Sequence, residues 1–129
     1  MADVNRGNRP LSPHLTIYRP QLNSAMSIFH RLAGMALGLA AVLVVWWFLA
    51  AATGPDYFAF VDGWLTSWLG GLVLLAALAA LWYHFFNGIR HLVWDAGRGF
   101  DLDHVHKSGL AALGAAAVMT VITWIAAYF

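Results

Sequence analysis

The chain has 129 residues, 61% of them hydrophobic and only 10% charged, with a formal net charge of +1 and no cysteine. A water-soluble fold would have no surface to spare at that composition, so the chain falls in the membrane class. A net charge of +1 says nothing useful about nucleic acid, and no basic patch with interleaved aromatics points to a nucleic-acid partner. The missing thiols exclude disulfides and iron-sulfur ligation, so any metal must be held by histidine.

The opening MADVNRGNRPLSP lacks the apolar core of a secretory signal and is too little basic for a transit peptide, so Met1 onward is expected to be mature protein. Pro10, Pro13 and Pro20 then remove backbone donors and bias their predecessors away from helix. Residues 1–23 are therefore read as an extended docking segment that offers Leu15, Ile17 and Tyr18 to a soluble partner.

Three stretches, 32–54, 63–83 and 108–129, lack every ionisable side chain of the Asp, Glu, Lys, Arg and His kinds. Each is long enough to cross about 30 Å of hydrocarbon, which takes about 20 helical residues. The expected fold is an all-α integral membrane domain over 24–129, with spanning helices at about 24–52, 63–97 and 107–129. Arg6, Arg9, Arg19, Arg31, Arg90, Arg98 and Lys107 all fall before the first apolar run or between the second and third. The positive-inside rule puts that side, with the N-terminus, in the cytoplasm.

Ser24 is the expected N-cap of the first helix. Within it Ser27, His30, Arg31 and Gly34 share one polar, small-residue face. Arg31 alone would read as a snorkelling side chain. With the Ser27 hydroxyl beside it, the pair can hold a small polar ligand at the mouth of a pocket. Gly34 and Gly38 suit close helix packing. The aromatic runs Trp46 to Phe48 and Trp64 to Trp68 suit interfacial anchoring on the far side. Thr53, Gly54 and Pro55 break the first helix, and Asp56 or Asp62 is expected to cap the short connection that follows.

The second helix carries the most informative stretch, LWYHFFNGIRHLVWDAG. His84, Gly88, His91 and Asp95 stand at offsets of 0, 4, 7 and 11, one face of an α-helix. An intramembrane histidine is a functional hypothesis by default, and here the hypothesis is axial ligation of a haem iron by His84. The rival on the residues alone is a histidine that only packs helices. Gly88 removes a side chain where a flat macrocycle would approach, while Arg90 and His91 lie where propionates could be met. His84 and His91 are about 10 Å apart along the helix at about 1.5 Å per residue, so a second axial ligand must come from another helix or chain. Arg90, His91 and Asp95 are expected at or beyond the cytoplasmic interface. Gly97 and Gly99 open a loop, AGRGFDLDHVHK, whose Asp103, His104 and His106 read as solvated. The third helix reads as scaffold, with its small side at Gly109, Leu113 and Ala117.

Together, Arg9-Pro10, the group Ser27, His30, Arg31 and Gly34, and the run from His84 through Gly88, Ile89, Arg90, His91, Trp94 and Asp95 to Gly97 resemble the cytochrome b subunit of succinate dehydrogenase. The resemblance covers essentially the whole chain. One departure is Ala33, where that family usually has a hydroxyl residue. The resemblance implies a haem-binding bundle completed by a partner membrane subunit. It implies haem b bound through His84, with His30, Arg31 and His91 around the propionates and the quinone pocket. Ser27 and Arg31 would contribute to ubiquinone binding. It also implies a second membrane anchor, an iron-sulfur subunit and a flavoprotein subunit as partners, in a bacterial or mitochondrial inner membrane. Two rivals stand beside it: an anchor that binds no haem, and a fumarate reductase anchor working with menaquinol.

Overall fold

A computed structural model describes residues 18–127. These form four helices: α1 (Leu22–Thr53), α2 (Pro55–Leu65), α3 (Trp68–Asp95) and α4 (Leu102–Ala126). The three long ones, α1, α3 and α4, are each long and apolar enough to cross a membrane. Most of the expected docking segment, residues 1–17, lies outside the described residues.

The buried apolar set is small: Met26, Ala33, Ala50, Val61, Ala112 and Ala116. Large side chains such as Leu39, Leu72 and Leu92 point outward instead. That inversion is what lipid allows, because tails are as apolar as leucine and helices associate by close packing of small residues. On α4 the packed stripe is Gly109, Ala112 and Ala116, whereas Ala117, expected on that side, is exposed. A Cβ on Gly109 would stand 3.0 Å from the Met26 sulfur and 3.5 Å from Arg90 Nη2, so the glycine sets how closely α4 approaches α1 and α3.

Four boundaries differ from expectation. α1 begins at Leu22 after Gln21, which makes no side-chain cap, and Ser24 lies inside its first turn. The short connection expected before the second span is instead a separate helix, α2, which takes in the span's first residues 63–65 and is entered through Gly54 at φ 154° with Pro55 at its first position. Neither Asp56 nor Asp62 caps a helix. Asp56 lies in the first turn of α2, where its charge suits the dipole, and Asp62 accepts from the Trp47 indole at 2.9 Å. Ser67 caps α3 by accepting from the Gly70 amide at 3.2 Å. α4 starts at Leu102 rather than about 107, because Asp103 in its first turn is joined to Lys107 at 2.6 Å, an i,i+4 pair.

α2 folds back along the end of α1, with Val61 and Ala50 fully buried between them and Trp46 donating to the Tyr57 hydroxyl at 2.9 Å. The residues Trp46, Trp47, Trp64 and Trp68 therefore gather at one end of the bundle, as an interfacial belt does. At about 1.5 Å per residue, about 30 Å of hydrocarbon measured from Trp68 ends near Gly88. α3 closes just beyond, at Gly97, whose φ of 74° permits the Arg98 amide to bond Val93 and the Gly97 amide to bond Trp94.

The turn between α2 and α3 is tight enough that a Cβ on Gly70 would collide with the carbonyl oxygens of Trp64 and Leu65. Gly70→Ala is expected to cost about 1–3 kcal/mol by overpacking, read as a lower melting temperature of the purified complex. Gly71→Ala, whose Cβ meets open space within this chain, is expected to leave that temperature unchanged.

Candidate functional site

α1 and α3 cross where Gly34 faces His84. A Cβ on Gly34 would lie 3.1 Å from His84 Cε1, so only the missing side chain lets the imidazole sit there. His84 Nδ1 is 3.2 Å from the His30 carbonyl oxygen. A carbonyl only accepts, so Nδ1 carries the proton and Nε2 keeps its lone pair. A fixed tautomer of this kind is how proteins prepare an imidazole to bind a metal through the other nitrogen.

Two further imidazoles share the place. The His30 ring stacks on His84 with centroids 4.0 Å apart and planes 10° apart, and it lies 5.1 Å from the ring of His91. His91 in turn meets Trp94 edge-on at 5.1 Å. His30 Nδ1 is buried with no hydrogen-bond partner among the described residues, an orphan that calls for one. Around Gly88 there is nothing within 4 Å of where a Cβ would be, and the same holds at Gly38. The closely packed glycine of the first helix is thus Gly34, and the face continuing through Gly38 is open.

Ser27 and Arg31 stand on the same side of α1 as His30. Arg31 is exposed and Ser27 half-buried, and no hydrogen bond or ion pair joins either to the described residues. The histidines His30, His84 and His91 are brought together, while Ser27 and Arg31, on the same side of α1, make no hydrogen bond to them. Asp103, His104 and His106 are exposed on the first turns of α4, and the described residues contain no group of three or more side chains fit to hold a metal.

Arg90 departs most from expectation. It is neither at a water-facing position nor among the histidines but only 8% exposed, turned into the bundle. Its Nε donates to Ser108 Oγ at 3.1 Å and its Nη1 to Asn87 Oδ1 at 3.0 Å. Its Nη2 reaches the Val105 carbonyl at 3.0 Å and Asn23 Oδ1 at 3.5 Å. Asn87 passes the chain on to the Tyr83 carbonyl at 3.1 Å, and the Tyr83 hydroxyl donates to the Met26 carbonyl at 2.8 Å. Tyr83, Asn87, Arg90 and Trp94 repeat the offsets 0, 4, 7 and 11 of the histidine face, one residue earlier. That stripe, rotated by about 100°, was the available signal for the residues the sequence reading passed over.

The family of succinate dehydrogenase/fumarate reductase transmembrane subunits matches residues 5–123. The chain belongs to that family. It is 49% identical over 125 residues to the succinate dehydrogenase cytochrome b556 subunit of Paracoccus denitrificans, covering 97% of this chain and 96% of that protein. Its identity to the cytochrome b556 subunit of Rickettsia conorii is 38% over 91% of each chain. To the cytochrome b560 subunit of the plant Marchantia polymorpha it is 41%, over 89% of this chain and 88% of the other. As a member it is a multi-pass membrane-anchor subunit of the succinate dehydrogenase type, one part of a larger oxidoreductase.

Within this subunit the tie from Tyr83 to α1 fixes the level of the helix turn that carries His84. Tyr83→Phe removes one hydrogen bond and is expected to cost about 1 kcal/mol. A lower melting temperature of the purified complex checks it, and an unchanged temperature would contradict the tie.

Proposed function

We propose that this subunit binds haem b through His84, with the second axial ligand supplied by a partner membrane subunit, and contributes Ser27 and Arg31 to a ubiquinone-reduction site. The observation that carries the reading is the Nδ1 bond of His84 to the His30 carbonyl, which leaves the Nε2 lone pair available as a donor. The surroundings fit a haem. Gly88 has open space where a macrocycle would lie, and the orphaned His30 Nδ1, with His91 beside it, suits hydrogen bonding to propionates. The cytochrome names of the relatives agree with this choice of group.

Bound haem supplies a one-electron redox centre. The chain's own residues hold and orient. His84 offers one ligand and a fixed tautomer. Gly34 keeps the imidazole against α1. Ser27 and Arg31, hydroxyl and guanidinium one turn apart, donate to a quinone carbonyl and favour negative charge as it develops on that oxygen. Electrons come from succinate through a flavoprotein and an iron-sulfur subunit, and protons come from the cytoplasmic side. The N-terminus and the Arg98 loop face the cytoplasm across the inner membrane. Residues 1–23 dock the soluble subunits.

One observation favours a second reading. The parallel stack of His30 on His84 is also what two packing histidines would form in an anchor that binds no haem. A dithionite-reduced minus oxidised spectrum of the complex separates the two. A b-type spectrum that His84→Ala abolishes or turns high-spin is expected, and a wild-type complex without that signal leaves the plain anchor.

For the quinone site, Ser27→Ala and Arg31→Gln are each expected to lower succinate-to-ubiquinone turnover about tenfold or more, the loss of one hydrogen bond made by or to a charged group. Succinate oxidation by an artificial dye should hold at the wild-type rate. Quinone turnover unchanged in both variants would contradict the assignment.

A further inference from the structure

We infer that Arg90 is a fixed, uncompensated positive charge that raises the reduction potential of the group held by His84. The inference rests on the haem reading above. Arginine stays protonated in proteins, and this one is only 8% exposed. Each of its acceptors, on Ser108, Asn87, Asn23 and Val105, is a neutral oxygen. The ion pairs among the described residues are His104 with Asp101 and Lys107 with Asp103, all of them exposed near the start of α4. α1 contains no acidic residue, and the one on α3, Asp95, is exposed. Among the described residues no carboxylate therefore neutralises the guanidinium.

Its direction makes the charge more informative. About two residues beyond the expected hydrocarbon edge, a lysine or arginine would ordinarily stretch outward to headgroups and water. Arg90 turns inward, where an unpaired charge is costly to keep. The tie uses four acceptors, which the five N–H donors of a guanidinium can serve and a neutral amide or hydroxyl cannot. The same group also brings a field that a neutral one would lack.

Arg90 and His84 stand six residues apart on α3, about 9 Å at about 1.5 Å per residue. The guanidinium carbon lies 4.5 Å from the Trp94 ring centroid. Trp94 meets His91 at 5.1 Å, His91 lies 5.1 Å from His30, and His30 stacks on His84 at 4.0 Å. Adding one electron at the group bound by His84 adds one unit of negative charge, so a nearby fixed cation stabilises the reduced form more than the oxidised one. Its removal must lower the potential.

The test is an optical redox titration of the purified complex with Arg90→Gln, Arg90→Lys and Asn23→Asp. Asn23→Asp keeps the accepting oxygen 3.5 Å from Arg90 Nη2 and adds a carboxylate beside the guanidinium. It cancels the charge without dismantling the tie, and it decides the question should Arg90→Gln fail to assemble. Arg90→Gln and Asn23→Asp are expected to lower the midpoint, with Arg90→Lys staying closer to wild type, while the reduced-minus-oxidised spectrum keeps its shape in all three. A midpoint unmoved by Asn23→Asp with the haem retained would overturn the role of Arg90 and leave the haem reading standing. A wild-type complex without haem would overturn both.

Discussion

The guanidinium of Arg90 touches every spanning helix. It reaches Asn23 on α1, Asn87 on its own helix α3, and Val105 and Ser108 on α4. In a bundle whose buried apolar set is mostly alanine, hydrophobic packing gives little to choose one helix arrangement over another, because lipid solvates leucine as well as protein does. Polar groups do choose, since each must find a partner where water is scarce. Asn87, 1% exposed, and the Tyr83 hydroxyl extend the same network down to the Met26 carbonyl. The register of α1 against α3, and with it the meeting of Gly34 and His84, follows from those bonds.

α3 carries two polar stripes with identical spacing and different purposes. Tyr83, Arg90 and Trp94 reach α1, α4 or the loop after α3, Trp94 donating to the Gly99 carbonyl at 3.2 Å, and Asn87 is satisfied between Tyr83 and Arg90 on its own helix. His84, Gly88 and His91 turn toward the side where Gly88 and Gly38 meet nothing and the His30 nitrogen has no partner. A satisfied stripe holds the helix, and an unsatisfied one leaves chemistry available. The same contrast separates Arg90 from Arg31, one enclosed by acceptors and the other exposed with none among the described residues.

The spans and the histidine face were legible from sequence because each rests on a single strong signal, an uncharged run or a repeat with helical period. α2 was not legible. Pro55, Asp56 and Asp62 made most of it read as a connection, while the run from Gly63 continues into α3 without proline or charge. The break there depends on Ser67 accepting from the Gly70 amide and on Gly70 itself having no Cβ. The start of α4 was misplaced because Asp101, Asp103 and Lys107 look like a solvated loop until the i,i+4 pair is recognised as helical. Arg90 was misread for a different reason. Its charge suggested an interface, and only the partners contributed by α1 and α4, 67 and 18 residues away, reveal that it points inward.

The central claim is that the open face of α1 and α3 is prepared for a haem that His84 ligates from this side. A density map of the assembled complex tests it most directly. The expected result is a macrocycle lying over Gly88, its iron within bonding distance of His84 Nε2 and of a second imidazole from the partner subunit. A face filled by partner side chains, with no iron at His84, would contradict it.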